Sequence, residues 1–233
     1  MLDLLGFAAT FFVAIVMIAS IAVLSSGPER FRIEAASVAA LWAGIAAGAA
    51  AYGLTARSHP FPLIGVFVLI PLAAGAIAAM SARFRTAFAA VPLAWLVFLN
   101  FGRVFAILFL ALEAAGRLAG PFPFYAGWGD IITGVVAVPL ALVLANKRPV
   151  GGLGMVVILW NLFGIADLVN AIFLGVTSSV GSPLQMFNTP PGSAAMQHLP
   201  FSLVPTLLVP FYILIHVAIL ARVLRAMRTE RST

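Results

Sequence analysis

Long apolar runs recur along this chain, separated by short polar or breaker-rich links, and seven of them reach the about 20 residues that a membrane-crossing helix needs. They cover roughly 3–25, 34–55, 62–81, 87–113, 124–146, 152–175 and 201–223. Helices are the expected form, because a backbone in lipid has to satisfy its own hydrogen bonds. The links carry Ser26-Gly27-Pro28, Ser58-His59-Pro60, Gly120-Pro121-Phe122-Pro123 and Pro149-Val150-Gly151-Gly152, combinations that interrupt helices. The longest interruption, from Val176 to Pro200, holds Gly181, Pro183, Asn188, Pro190, Pro191 and Gly192 and is too polar and broken to cross. No link has room for a soluble domain. The pattern therefore predicts an all-α, polytopic membrane bundle of seven helices that occupies 1–233 as one transmembrane domain. The first run, Leu4 to Leu24, exceeds a signal-peptide core and has no basic residue ahead of it, so it is expected to be retained as a span.

Within the runs, small residues crowd the second and third: Ala43, Gly44, Ala46, Ala47 and Gly48, then Ala73, Ala74, Gly75 and Ala76. Such surfaces let helix backbones approach closely and predict tight packing. Pro71, Pro92, Pro139, Pro205 and Pro210 fall inside predicted spans and are expected to kink them.

Composition agrees with the pattern. Of 233 residues, 63% are hydrophobic and 9% charged, against roughly a quarter charged in a soluble domain. The formal charge of +6 would suggest nucleic acid in a soluble protein, but here the basic residues sit between apolar spans and report orientation instead. With the N-terminus outside, ten basic residues fall on the cytoplasmic side: Arg30, Arg32, Arg83, Arg85, Lys147, Arg148, Arg222, Arg225, Arg228 and Arg231. Two, Arg57 and Arg117, fall outside, and Arg103 lies within a span. That bias predicts an outside N-terminus, a cytoplasmic C-terminus and residence in the cytoplasmic membrane. Arg222, Arg225, Arg228 and Arg231 form a basic tail suited to orientation and contact with anionic lipid. Phe122, Phe124, Tyr125 and Trp128 are expected in an interfacial aromatic belt. The chain has no cysteine, which removes disulfides, thiolate nucleophiles and sulfur-ligated metals.

Candidate chemistry concentrates in spans four to seven, where Asn100, Arg103, Glu113, Asp130, Thr133, Asn161, Asp167, Asn170 and His216 interrupt apolar surface. Such residues at membrane depth are costly and face a partner or a cavity. With a rise of about 1.5 Å per residue, Arg103, Asp130 and Asp167 fall at similar depth, and Glu113 falls near the outer surface. Asn100 pairs with Arg103, Asp130 with Thr133, and Asp167 with Asn170 at a spacing of three, so each pair is expected to share a helix face. Gly127, Gly129, Gly134 and Gly164 flank the two acids and leave room for a backbone or ligand to approach. Two acids against one base leave one carboxyl to be protonated, hydrogen-bonded or matched by a ligand. A structural ion-pair network that fixes packing would use the same residues. His216 is expected in the inner half, away from the acids, so its replacement is expected to leave anything dependent on Asp130 intact. The segments Gly127 to Gly134 and Gly164 to Ala171 also read alike, through either an internal repeat or shared packing demands.

Gly127-Trp128-Gly129-Asp130 resembles the Gly-x-Gly-Asp motif of intramembrane aspartyl proteases over those four residues. The resemblance implies two aspartates on neighbouring helices that share a proton and activate water. The chain departs from that family in order, since Asp167 follows the motif where the family's other aspartate precedes it, and it has no downstream Pro-Ala-Leu element. The single lysine, Lys147, lies in a link, which excludes a retinal Schiff base. Met186, Met196, Gln197 and His198 gather in the long outer loop, where a solvated loop is expected ahead of a soft-metal site. His59 and His198 are expected at the outer surface.

The expected function is binding or translocation of a small solute or ion at a polar pocket in spans four to six. Asp130 and Asp167 are the ligand or proton sites and Arg103 the counter-ion, with Asn100, Asn170, Thr133 and Glu113 nearby. An intramembrane enzyme using Asp130 and Asp167, and a non-catalytic subunit of a larger membrane complex, are the alternatives. No cofactor, metal or nucleic acid is expected; the partners are the bilayer, a small solute or ion, or another membrane protein.

Overall fold

The computed structural model describes residues 1–57 and 62–231. The Ser58-His59-Pro60 link and Thr233 lie outside the described residues. Among the described residues all regular structure is helical, and seven helices are long and apolar enough to cross a membrane. They are α1 (Leu2–Leu24), α2 (Glu29–Ala51), α3 (Leu63–Met80), a fourth span over Leu93–Ala114, α7 (Pro121–Asn146), α8 (Gly151–Thr177) and a last span over Val204–Glu230. A short helix, α4 (Ala82–Ala89), joins α3 to the fourth span. The fourth span is composite, with α5 (Leu93–Leu99), a 3-10 stretch (Asn100–Ala106) and α6 (Ile107–Ala114). The last begins as a π-helical turn (Val204–Leu208) and continues as α9 (Val209–Arg231).

The bounds of three predicted spans are corrected. The fourth span starts at Leu93, not 87, because Pro92 lacks an N–H and disfavours helix in the residue before it. The apolar count runs straight through Phe88, Ala89, Ala90 and Val91, so hydropathy alone does not register that stop. The second span starts at Glu29 after Pro28 and ends at Ala51, about a turn earlier than predicted. Arg30 and Glu34, ion-paired at 2.8 Å, extend this helix beyond its apolar stretch instead of forming a link. The last helix likewise continues through its arginines to Arg231. Pro121 opens α7 as its first residue, a position where its missing N–H costs nothing.

α7 packs between the fourth span and α8, α8 continues onto α9, α9 meets α3, and α1 pairs with α2. The outside of the bundle is as apolar as its core: Ile77, Leu142, Leu159 and Val169 are exposed, while Asn100, Arg103, Asp130, Thr133, Asn161, Asp167 and His216 are buried. This inversion suits a lipid surround and makes the interior the only place for polar chemistry. α3 is peripheral, with Val68 as its one buried residue.

The segment 178–203 folds back on the bundle, contrary to the expectation of a solvated loop. Ser193 Oγ donates to Gly175 O (2.6 Å), Gln197 Nε2 to Ser179 Oγ (2.5 Å), and Thr55 Oγ1 to Gln197 O (2.6 Å). Met196 and Phe201 are buried and Met186 is exposed, so the sulfur-bearing residues of this segment do not converge. Phe122 is also buried, 5.7 Å from Phe109 between ring centres, and leaves the predicted aromatic belt to Phe124, Tyr125 and Trp128, which are exposed.

Candidate functional site

The middle of the fourth span tightens to 3-10 geometry, in which residues three apart eclipse one another. Asn100, Arg103 and Ala106 are accordingly its buried residues, a strict spacing of three that faces the bundle interior. Asn100 supports the tightened stretch by donating from Nδ2 to Leu96 O at 3.1 Å, an alternative to the regular ladder. Its Oδ1 is buried with no hydrogen-bond partner among the described residues.

Arg103 is the centre of the site. Its guanidinium, wholly buried, donates from Nε to Asp130 Oδ1 (2.5 Å) and from Nη2 to Asp167 Oδ2 (2.5 Å). Nη1 reaches Gly164 O (3.4 Å) and His216 Nε2 (3.0 Å), and the ring of Tyr212 lies 5.8 Å from the guanidinium carbon. One side chain thus ties the fourth span to α7, α8 and α9. The planar, divergent N–H set of arginine permits this, where the single ammonium of lysine would not.

His216 therefore belongs to the cluster, which corrects its predicted separation. Its helix starts at Val204 and runs to Arg231, so residue 216 lies near the middle and not in the inner half. The guanidinium also reaches several ångströms from its own backbone. Donor logic fixes the imidazole: a guanidinium can only donate, so Nε2 is the unprotonated nitrogen. Nδ1 carries the hydrogen and gives it to Asn161 Oδ1 (2.8 Å), while Asn161 Nδ2 returns a bond to His216 O (3.0 Å). Trp160 stacks obliquely on the imidazole at 5.4 Å and donates its indole N–H to Thr133 O (3.1 Å).

Asn161, one of the polar residues expected at membrane depth, is joined around the cluster by Trp160 and Tyr212, two aromatics that polarity alone does not mark. The usable signal was spacing: Tyr212 and His216 lie four apart, and Asn161 and Gly164 three apart, so each pair shares one helix face. The remaining candidates lie elsewhere. Thr133 is buried but bonds back to Gly129 O in its own helix (2.8 Å). Glu113 is exposed in the last turn of the fourth span. Asn170 is exposed on α8, because a step of three turns it about 60° away from Asp167 toward the outside.

Glycine makes the closeness possible. A Cβ on Gly129 would overlap the Asp167 carboxylate, and one on Gly164 would lie 2.5 Å from the His216 ring and 3.1 Å from Arg103 Nη1. α7 and α8 can bring both carboxylates to one guanidinium only with bare backbone at these positions.

Two cavities meet at Asp130. The smaller, about 40 Å³, is lined by Arg103, Asp130 and Tyr212 with Thr10 of α1 and the start of the last span. It has room for about two or three water molecules. The larger, about 240 Å³, is walled by α3, α7, α8, the π-helical turn and the 178–203 segment; it is largely apolar, with Asp130, Ser179, Ser193 and Gln197 as its polar lining. Asp130 Oδ2 has no donor among the described residues, and its side chain keeps 11% of its surface exposed. With all three charged groups ionised, the Arg103, Asp130 and Asp167 set is one negative charge in excess.

Fold and site together define a multi-pass helical bundle with a buried arginine clamped between two aspartates. The model of a domain of unknown function, DUF8737, matches residues 60–224, more than half of the chain, and the chain belongs to this family. The matched region runs from just before α3 into α9 and includes Arg103, Asp130, Asp167 and His216. No curated protein and no solved structure matches the chain.

Proposed function

We propose that this protein binds or translocates a small solute or ion at the Arg103 cluster, with Asp130 as the primary ligand or proton site. The observation that supports this most is the divided role of the Asp130 carboxylate. Oδ1 is committed to Arg103, while the side chain lines two cavities and Oδ2 has no protein donor among the described residues. A purely structural ion pair would be expected to satisfy both oxygens. The negative excess calls for a cation or a proton, and the largely apolar wall of the larger cavity suits a solute with little polar surface. The proteolytic alternative has less support, because a guanidinium bonds to both carboxylates where a shared proton and water would be required.

The proposal is tested with purified protein reconstituted in liposomes, measuring uptake of protons, sodium, potassium and tetramethylammonium under imposed gradients. Asp130→Asn keeps an acceptor for Arg103 and removes the excess charge. A flux carried by the wild type should fall on the order of tenfold or more in Asp130→Asn, as expected for loss of one charge-assisted contact. Equal fluxes in the two proteins would remove Asp130 from this role.

We also propose that the N-terminus is outside and the C-terminus cytoplasmic, in the cytoplasmic membrane, on the distribution of basic residues between links. A phosphatase reporter fused after Thr233 should be inactive and a cytoplasmic fluorescent reporter active. The reverse pattern would invert every assignment of side.

A further inference from the structure

A third cavity, about 470 Å³ and separate from the Arg103 cluster, lies between α1, α3, α4, the start of the fourth span and α9. Its lining is apolar over most of its length, with Leu72, Leu99 and Phe211 among the side chains away from the arginines, and it carries three cations: Arg85, Arg222 and Arg225. Among the described residues no aspartate or glutamate lines it. Arg85 donates to Ala79 O (3.0 Å) and Met80 O (2.7 Å), and Arg222 donates to Val91 O at the break before α5. These neutral carbonyls orient the two guanidinium groups without cancelling their charge.

From Phe211 to Arg225 the cavity follows α9 for 14 residue steps, about 21 Å at a rise of about 1.5 Å per residue. Half of the hydrocarbon core of a bilayer measures about 15 Å. Because residue 216 lies near the middle of its helix, the cavity begins slightly beyond the midplane and reaches Arg225 about 13.5 Å from it, near the head-group boundary on the arginine-rich side. Phe84 and Phe88 of α4, stacked at 5.7 Å, line it beside Arg85. Peripheral α3, whose Gly75 sits against Leu214 of α9, forms one wall.

We infer that this cavity is a binding site for an anionic phospholipid of the leaflet on the arginine-rich side. Its acyl chain lies between α3 and α9 and its phosphate meets Arg85, Arg222 and Arg225. Polarity gradient and uncompensated charge agree on one occupant: a zwitterionic lipid brings no net negative charge to the three cations, and a free anion leaves the apolar length unfilled.

The test is thermal unfolding of the purified full chain in detergent with added dioleoylphosphatidylglycerol, dioleoylphosphatidylcholine or inorganic phosphate. Phosphatidylglycerol at about a hundred times its dissociation constant should raise the midpoint by about 5 °C or more, with phosphatidylcholine and phosphate giving no comparable rise. Ala79→Trp, which puts an indole at the cavity wall between α3 and the arginines, should abolish the rise, and Arg225→Gln, at an exposed position, should reduce it. Both proteins are also to be weighed by native mass spectrometry, where the wild type should retain one phosphatidylglycerol and Ala79→Trp none. An equal rise with phosphatidylcholine would overturn the charge recognition, and an equal rise with phosphate alone would overturn the lipid. Full retention of the rise in both variants would place any bound lipid elsewhere.

Discussion

Arg103→Leu should lower the stability of the protein by about 3–5 kcal/mol, the usual effect of removing one partner from a buried ion pair. The loss is expected near the upper end, because this side chain serves Asp130, Asp167, His216 and the Gly164 carbonyl together. Without it, two carboxylates on α7 and α8 remain close in a low-dielectric interior with no cation between them. At roughly 2–4 °C per kcal/mol for a chain of this size, thermal unfolding in a fixed detergent should show a midpoint lowered by roughly 6–20 °C. Arg103→Lys should recover only part of that, since one ammonium cannot point at both acids and the imidazole. A midpoint within about 2 °C of wild type for Arg103→Leu would mean that the contacts carry little energy.

Gly129→Ala should be nearly as damaging, although it adds a single methyl group. The new Cβ would occupy the place of the Asp167 carboxylate, so either α7 and α8 move apart or Asp167 leaves Arg103. Overpacking typically costs about 1–3 kcal/mol, and the partial loss of the buried pair adds to it. Gly44→Ala supplies the contrast: it lies within α2 with nothing within 4 Å of its would-be Cβ, so alanine there should be neutral or stabilising by up to about 1 kcal/mol. Thermal midpoints of the two variants should therefore move in opposite senses or differ widely. A matched pair of small shifts would show that the helices accommodate the methyl without displacing Asp167.

How far the chain was readable depended on which kind of signal each feature leaves. Spans announce themselves because about 20 apolar residues have few other uses, and the seven helices follow the seven runs closely. Ends are harder to place, since Pro92 stops a helix that hydropathy would continue, and the arginines of α2 and α9 continue helices that hydropathy would stop. The depths of Arg103, Asp130 and Asp167 follow from counting residues along helices, and the guanidinium lies between the two carboxylates. Counting misplaced His216, because its helix extends farther at the C-terminal end than the apolar run and because an arginine reaches well beyond its own level. Rotation is less forgiving than depth. Asn170 shares a nominal face with Asp167, yet about 60° of offset is enough to turn it outward. Nothing in the composition of 178–203 predicted burial of Met196 and Phe201, which depends on backbone contacts with helix ends far away in sequence.

The central claim, that Arg103 and its two acids act as one coupled site, is tested most directly by double-mutant cycles on thermal stability. The set is Arg103→Leu, Asp130→Leu, Asp167→Leu and the two arginine–aspartate doubles. Residues in contact within one ionic network show coupling of about 0.5–3 kcal/mol, and exchanging both members of a buried pair for apolar groups is often nearly neutral. The cluster geometry predicts that each double is more stable than Arg103→Leu alone, with coupling of at least about 1.5 kcal/mol in both cycles. Strict additivity in both would contradict it, and the three charges would then have to be treated as separate features of the bundle.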